Sequence, residues 1–249
     1  MLALELNVPL HVAVCVPPSH AELTLRHYTF LLEGLQEVGQ ELQHLDIGFH
    51  LLAGEPQACL TTDFLDSLDI GLVVADFSPL REPRAWLAGL EKSLGGGRER
   101  QVALHQVDSH NVVPVWVTSE KQEYAARTIR PKIEKRLGEY LTPFPPLVKH
   151  PVKPSQKIAA PDFPAVYASL TVDSKGWGVE PVTEFFPPGT KAGLANLETF
   201  LSSRLRSYAS RNDPNVTALS GMSPWVNHGQ VRTLLTGANT GYCTLLYNT

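Results

Sequence analysis

Four short apolar runs alternate with segments of helical spacing, and this alternation restricts the possible folds more than any other feature of the sequence. The runs are residues 10–16, 47–52, 70–75 and 102–107. Strands that alternate with helices in this way lie parallel and are joined by right-handed helical crossovers. The sequence therefore predicts an α/β fold with an open, Rossmann-like parallel sheet of these four strands. Residues 10–16 form a continuous apolar run, which predicts a strand buried on both faces.

Three helices are predicted between these strands. The first covers about residues 21–45, where apolar side chains recur at three- and four-residue steps and form one face that packs on the sheet. The second covers residues 57–68. The third begins at Pro83 and ends at the glycines of residues 95–97, which cannot sustain a helix. The apolar positions of the first helix are Tyr28, Leu31, Leu32, Leu35, Val38, Leu42 and Leu45.

A polar step, residues 109–111, follows the fourth predicted strand. Ligands gather where strands end in α/β folds, so this junction is a candidate site. The alternative is a strand end whose polar groups only cap the backbone. Ser119, with Gln122 three residues later, has capping-box spacing and predicts the start of another helix. Pro131 lies inside that helix and predicts a kink or a break there.

The predicted helix after Ser119 carries a local run of basic residues in a chain whose net charge is −4. The run comprises Arg127, Arg130, Lys132, Lys135 and Arg136. One interpretation is a solvated helix face, because exposed charges are common on helices. The other places the run near a DNA backbone or another domain. With a pI of about 6.1, the chain has no overall positive charge that would attract a polyanion, so any DNA-binding surface must be a local basic patch.

Residues 143–188 hold 10 of the 20 prolines, so long helices and central strands are not expected there. Helical spacing resumes at Gly193. A short segment of small residues follows, and Ser223-Pro224 has the order of a cap followed by a helix start. The free N–H groups of that start, with the hydroxyls of Ser220 and Ser223, form a candidate anion site. The alternative is an ordinary capped turn.

Composition excludes several classes of protein. No apolar run approaches the roughly 20 residues needed to span a bilayer, so no membrane association is expected. Cys15, Cys59 and Cys243 are odd in number and widely spaced, which favours free thiols in a reducing, intracellular setting. Histidines do not cluster with cysteines or carboxylates at ligand spacing, so no metal site is expected. We also expect a monomer.

Several longer motifs closely resemble the class II cyclobutane pyrimidine dimer photolyases, and the resemblance extends from residue 9 to about residue 231. The motifs are residues 76–81 (DFSPLR), Trp86, residues 107–116 (VDSHNVVPVW), residues 121–133 (KQEYAARTIRPKI), residues 211–214 (RNDP) and residues 219–224 (LSGMSP). The resemblance implies an antenna-type α/β domain at residues 8–142, a proline-rich connector at 143–192 and the start of an α-helical flavin domain at 193–249.

The resemblance also implies a function. Enzymes of this family, deoxyribodipyrimidine photo-lyases, repair UV-damaged DNA when light excites reduced FAD and an electron passes to the dimer. The matching positions imply that Leu219, Ser220, Gly221, Met222 and Ser223 lie against the flavin phosphates. Tyr208 matches a position that also contacts the flavin. An antenna chromophore, a deazaflavin or a folate, is implied for the α/β domain, and a nuclear location is implied if the source is a eukaryote.

The sequence departs from the family at both ends, which predicts a truncated chain. Family members carry a further strand and helix before the segment that matches Pro9, and residues 233–249 lack the basic helix expected there. None of Trp86, Trp116, Trp177 or Trp225 matches the electron-transfer chain, so no catalytic residue is assigned. We therefore expect that the chain does not retain FAD stoichiometrically, and that the apolar side chains which should face the absent helices are exposed. These side chains are Leu201, Leu205, Tyr208 and Trp225.

Two other interpretations remain. One is a non-catalytic, truncated photolyase-like module that binds a chromophore or a partner. The other, an unrelated nucleotide-binding α/β protein, ranks last because no Gly-x-Gly-x-x-Gly or Walker-type loop follows a predicted strand. A flavin absorbance spectrum separates the photolyase from the non-catalytic module.

Overall fold

The structure, a computed structural model, describes residues 1–19, 23–95, 101–142, 146–172 and 179–231. The elements in chain order are α1 (Leu2–Glu5), β1 (His11–Val16), α2 (Leu25–His44), β2 (Gly48–Ala53), α3 (Pro56–Cys59), α4 (Thr62–Ser67), β3 (Leu72–Asp76), α5 (Arg81–Leu94), β4 (Ala103–Val107), α6 (Val115–Thr118), α7 (Ala126–Tyr140), α8 (Phe163–Ser169), α9 (Thr190–Thr199), a π-helical turn (Phe200–Arg204), a 3-10 helix (Leu205–Ser210) and α10 (Ser223–Asn227).

The chain forms two compact units. The first unit comprises Met1–Val107 and Leu147–Thr183, and the second comprises Asp108–Pro146 and Glu184–Thr249. Residues 147–172 therefore belong with the strands, although a long stretch of sequence separates them. Backbone hydrogen bonds attach this segment to the rest of the first unit. His150 N donates to Leu45 O at 2.7 Å, and Thr171 N donates to Pro18 O at 2.8 Å.

All four predicted strands are present and their pairing is parallel, which confirms the α/β fold. β1 pairs with β2 from His11↔Gly48 to Val16↔Ala53, and β3 pairs with β4 from Leu72↔Ala103 to Asp76↔Val107. The strands nevertheless form two separate two-stranded sheets. In the part of the chain that the structure describes, no ladder joins β1 to β3, so the prediction of one four-stranded sheet is wrong on this point.

Each strand pair has its own apolar core. The face of α2 predicted to pack on the sheet does so, and Tyr28 and Leu32 pack with Val16 of β1 and Val166 of α8 in one buried cluster. The second cluster lies on the β3–β4 pair and contains Leu65, Leu90, Leu94 and Val102. Burial of apolar side chains such as these contributes about 1.5–3 kcal/mol each. Each strand pair is therefore stabilised by a cluster of its own.

Several predicted boundaries are corrected in the first unit. The helix predicted for residues 57–68 is two short helices, α3 and α4, because the Thr61 hydroxyl accepts from Phe64 N at 3.3 Å and starts a new helix. α5 begins at Arg81, with Pro83 in its first turn, and ends before Gly95. The remaining glycines of the predicted stop, Gly96 and Gly97, lie outside the described residues. Ala13 of β1 is exposed, so this strand is not buried throughout.

The helix predicted to start at Ser119 starts later. α7 begins at Ala126 and is continuous through Pro131, so the predicted break is wrong. Ser119 does not cap it, because its hydroxyl donates to Glu123 Oε1 at 2.8 Å and accepts from Lys132 Nζ at 2.9 Å. Those contacts fold residues 119–125 into a loop that returns to α7.

In the second unit, α9 continues through the π-helical turn into the 3-10 helix, so residues 190–210 form one helical run. Gly193 of α9 packs on Trp225 and Val231, which are both 2% exposed. The Trp225 indole N–H donates to Pro187 O at 2.9 Å. The expectation that Trp225 is exposed is therefore wrong, whereas Tyr208 is 40% exposed as expected. Trp177 and the tail, residues 233–249, lie outside the described residues.

Candidate functional site

The loop of residues 219–223 is held by Asn196, a side chain outside the motifs from which the site was predicted. Asn196 of α9 donates through Nδ2 to Ser220 O at 3.0 Å, and the same nitrogen lies 3.0 Å from Met222 Sδ. Asn196 Oδ1 in turn accepts from Arg204 Nη2 at 3.3 Å. A continuous hydrogen-bond relay therefore runs from Arg204 through Asn196 to the backbone of the loop.

The conformation of this loop depends on Gly221. Its φ is +67°, in the left-handed region that residues with a side chain rarely adopt. Of the other predicted site residues, Met222 is buried, Ser220 is half-buried, and Leu219 and Ser223 are exposed. The loop thus presents backbone and hydroxyl groups on one side while Met222 anchors the other.

Arg204 has an unsatisfied donor close to this loop. Its Nε is buried and has no hydrogen-bond partner among the described residues. The guanidinium group lies 5.9 Å from the centroid of the Phe200 ring. An unpaired buried donor on a cation is costly and would be satisfied by an anion. The chemistry of this relay therefore fits a phosphate or carboxylate group better than a neutral one.

Tyr208 contacts the same helical run at a different point. Its ring packs edge-on against Phe200, with centroids 5.6 Å apart, and the Arg211 guanidinium lies 4.9 Å from its centroid. The predicted cofactor-binding residues are thus organised by Asn196, Phe200 and Arg204. These positions recur at four-residue steps on one helix face. That spacing is the sequence signal that could have identified Asn196 and Arg204.

The helix after this loop has a different N-cap from the one predicted. α10 is five residues long, its N-cap is Met222, and Ser223 is the first helical residue. Ser223 therefore does not cap the helix as predicted. A single turn also develops little dipole, so the loop and Arg204, rather than the helix end, carry the anion-binding character of this region.

The polar junction after β4 has a structural role. Asp108 accepts hydrogen bonds from Asn111 N at 3.0 Å and from Val115 N, at the start of α6, at 2.9 Å. Partial burial acts to raise the pKa of Asp108, but the hydrogen bonds from the Asn111 side chain and from three backbone N–H groups, those of Val115, Asn111 and His110, outweigh it and lower the pKa. This arrangement supports the alternative in which the junction caps the backbone.

Two of the five basic residues on α7 are neutralised. Lys132 lies 2.5 Å from Glu123, whose side chain is 9% exposed, and Arg136 lies 3.1 Å from Glu139. Hydrogen bonds from Lys132, Ser119 and Thr128 lower the pKa of Glu123 to about 2. The other three, Arg127, Arg130 and Lys135, are exposed.

A cavity of about 560 Å³ lies in the first unit, bordered by residues of α1, β1, β2, β3 and α4. His11 and His50 line it, with His11 Nδ1 at 3.1 Å from His50 Nε2. Burial lowers the pKa of both imidazoles. Most of the other lining side chains are apolar.

Within the described ranges, no helix has the length and apolar character needed to cross a membrane. The same residues contain no group of three or more histidine, cysteine or acidic side chains placed to hold a metal ion.

Comparison with known proteins agrees with this fold. The model of the family described as DNA photolyase matches residues 1–150. A deoxyribodipyrimidine photo-lyase from Potorous tridactylus is 45% identical over 231 residues, which are 92% of this chain and 42% of that protein.

A class III photolyase from Agrobacterium tumefaciens superposes with a TM-score of 0.74 at 16% identity, covering 96% of this chain and 49% of that one. An archaeal photolyase from Sulfolobus tokodaii, solved with two FAD molecules, superposes with a TM-score of 0.62 at 14% identity over 95% of this chain and 49% of its own. The chain spans about half the length of the curated relatives it matches.

Proposed function

Because this chain belongs to the DNA photolyase family, we propose that it forms part of a light-driven DNA-repair enzyme, a deoxyribodipyrimidine photo-lyase that splits cyclobutane pyrimidine dimers with FAD. The names of the curated relatives support this activity. The motifs at residues 107–116 and 121–133 support the finer assignment to class II. The proposed substrate is UV-damaged DNA, whose lesion is taken out of the base stack at a cost of a few kcal/mol.

The proposed division of labour follows the family. Residues 8–142 form the antenna-type domain, residues 143–192 the connector, and residues 193–249 the start of the flavin domain. A deazaflavin or a folate is the proposed antenna chromophore. We further propose an intracellular monomer without a bound metal, nuclear if the source is a eukaryote.

The observation that carries the proposal is the relay from Arg204 through Asn196 to Ser220. The orphaned Nε of Arg204 and the backbone of the loop at Gly221 fit an anionic group such as the FAD pyrophosphate. Bound FAD supplies the light-excited electron donor. The residues of this chain would hold it, with the loop of residues 219–223 and Arg204 on its phosphates. Tyr208, half-exposed on the same helical run, would contact the flavin with its ring.

The test is a titration of the purified chain with FAD, followed by flavin fluorescence. We expect binding to be weak, because the loop, Arg204 and Tyr208 cover only one edge of a cofactor. Asn196→Ala removes the contact to Ser220 and leaves Arg204 without its partner, so it should weaken binding about tenfold, equivalent to about 1.4 kcal/mol. Asn215→Ala is the matched control, because Asn215 lies in an exposed turn with Asp213 and should leave binding unchanged. Equal affinities for both variants would contradict the proposed site.

The activity itself is tested with the flavin-loaded protein, in which dithionite has reduced the FAD, and an oligonucleotide that contains a thymine dimer. Loss of dimers should require blue light, and the same mixture in the dark is the control. A protein that has bound the flavin but splits no dimer in the light would refute the proposed function.

A further inference from the structure

Two cysteines that are far apart in the sequence lie side by side in the first unit. Cys15 and Cys59 are both half-buried free thiols, and a side-chain hydrogen bond joins them. The third cysteine of the chain, Cys243, lies outside the described residues. The fold therefore brings two thiols into direct contact at one place.

The alternation of side chains along β1 determines which way Cys15 points. Val14 and Val16 pack in the cluster that includes side chains of α2 and α8. Successive side chains of a strand point to opposite faces, so Cys15 lies on the face opposite to α2. Cys59, the last residue of α3, meets it on that face.

Gly54, directly after β2, fixes the position of Cys59 relative to β1. Its N–H donates to Val16 O at 2.8 Å, next to Cys15 in the chain. A Cβ at Gly54 would lie 2.9 Å from Cys59 Sγ, and the φ of this glycine is +142°. Glycine adopts this conformation without a steric cost and lets the backbone approach the sulfur. The same residue is thus bonded to the strand of one cysteine and packs on the sulfur of the other.

The hydrogen bond gives the two thiols different acidities. Burial, the charge of the Cys59 thiolate and the hydrogen bond with it raise the pKa of Cys15 to about 12. Burial also raises the pKa of Cys59, but the hydrogen bond from Cys15 opposes this effect. Cys59 is therefore the first of the two to form a thiolate, with the Cys15 S–H as its donor. The thiolate is the form that attacks a disulfide.

We propose that Cys15 and Cys59 are a modification site, which a small disulfide of the glutathione class oxidises to an intramolecular disulfide that stabilises the first unit. The Cys59 thiolate attacks one sulfur of the oxidant, forms a mixed disulfide and releases one small thiolate. Cys15 then loses its proton and attacks Cys59 Sγ, which expels the second small thiolate. Two protein thiols are oxidised to one disulfide, one small disulfide is reduced to two thiols, and the two protons end on those thiols.

The local structure allows the bond to form. The sulfurs must move from hydrogen-bond contact to about 2.05 Å, and α3 is a single turn of four residues without a buried side chain. It can therefore shift without opening a core. The bond would close the loop of residues 15–59, which contains α2 and β2, and a cross-link restricts the unfolded chain more as its loop grows. This inference is independent of the proposed repair function and of the flavin site.

The test incubates the reduced chain with glutathione disulfide, blocks the remaining thiols with N-ethylmaleimide and digests the product with trypsin. Cleavage after Arg26 and Arg81 places Cys15 in residues 1–26 and Cys59 in residues 27–81. We expect these two peptides to appear linked in mass spectra as the main product, and to separate after treatment with dithiothreitol. Unlinked peptides that each carry glutathione, peptides linked to Cys243 instead, or two unmodified thiols would overturn the proposal.

Two variants test the location and the effect of the bond. Cys243→Ser keeps both partners and should form the linked peptides as the unmodified chain does, whereas Cys59→Ser should form none. Oxidation should raise the urea midpoint of C243S by about 1 M, and the midpoint of C59S should not change. Equal midpoints for oxidised and reduced C243S, or an equal rise in both variants, would overturn the proposal.

Discussion

Replacing Gly193 with alanine tests the packing of the second unit, because the added Cβ has two opposing effects on stability. It favours the helix, and it crowds the apolar core. A Cβ at this position would lie 2.5 Å from Val231 Cγ2 and 2.9 Å from the Trp225 ring atoms. Contacts this short force the neighbours to move. Both neighbours are 2% exposed, and Trp225 is fixed by the bond from its indole N–H to Pro187 O and by Gln230 N donating to Trp225 O at 2.8 Å.

The expected magnitude follows from the two effects. Alanine is favoured over glycine inside a helix by about 1 kcal/mol, and Gly193 lies within α9. Overpacking of a closed core costs about 1–3 kcal/mol, and the upper part of that range applies where the neighbours cannot shift. We therefore expect Gly193→Ala to lower the free energy of unfolding by about 1–2 kcal/mol net.

Gly138→Ala is the matched control, because Gly138 lies in α7 and no heavy atom beyond its chain neighbours and the surrounding helix backbone comes within 4 Å of its added Cβ. Only the helix preference remains there, so this variant should be more stable by up to about 1 kcal/mol. Urea denaturation followed by tryptophan fluorescence measures both. The reasoning is refuted if Gly193→Ala is as stable as the unmodified chain, or if the two variants shift the urea midpoint in the same direction.

Three further predictions concern the first unit and the loop before α7. Leu32→Ala should cost about 2–5 kcal/mol in urea denaturation, since Leu32 is fully buried; a loss under about 1 kcal/mol would contradict that packing. Burial lowers the pKa of His11 and His50, so the unfolded chain binds more protons below about pH 6.5. The urea midpoint should therefore fall between about pH 7 and pH 5, and His50→Gln should reduce the fall. The pKa of Glu123 is lowered to about 2, chiefly by Lys132, so its contribution is present above about pH 4.5 and is lost as the pH falls towards 2. Glu123→Gln should be less stable than the unmodified chain at neutral pH and should lose less stability on acidification; an unchanged acid response would contradict this.

The strands and their parallel direction were predictable because their signals are local. β1 and β3 are apolar, β-branched runs, and alternation with helices sets their direction. That β1 and β3 share no ladder within the described residues was not predictable in the same way. Whether two strands pair depends on backbone hydrogen bonds between residues far apart in the sequence, and side-chain patterns do not specify which edges meet.

The same distinction between local signals and contacts distant in sequence applies to the candidate site. The loop of residues 219–223 and Tyr208 were identified from the family motifs, and their roles toward the flavin remain predictions. Asn196 and Arg204, which organise that region, were missed because polar residues beside an apolar stripe usually face solvent. Ser119 shows the converse: its capping-box spacing is local, but its hydroxyl is taken by Glu123 and Lys132, and a tertiary contact overrides the local preference.

The π-helical turn at Phe200–Arg204 determines how the helical run responds to the loss of one residue. Each α-helical residue advances the side-chain direction by about 100°, and a π turn accommodates one residue more than an α turn. Ser202 and Ser203 are exposed within it, so loss of one of them would be absorbed by reversion to an α turn. The helix would stay intact, and Tyr208 would keep its direction relative to the residues before the turn. In this segment a single-residue gap between related proteins is therefore a change of helix type that leaves the downstream face in place.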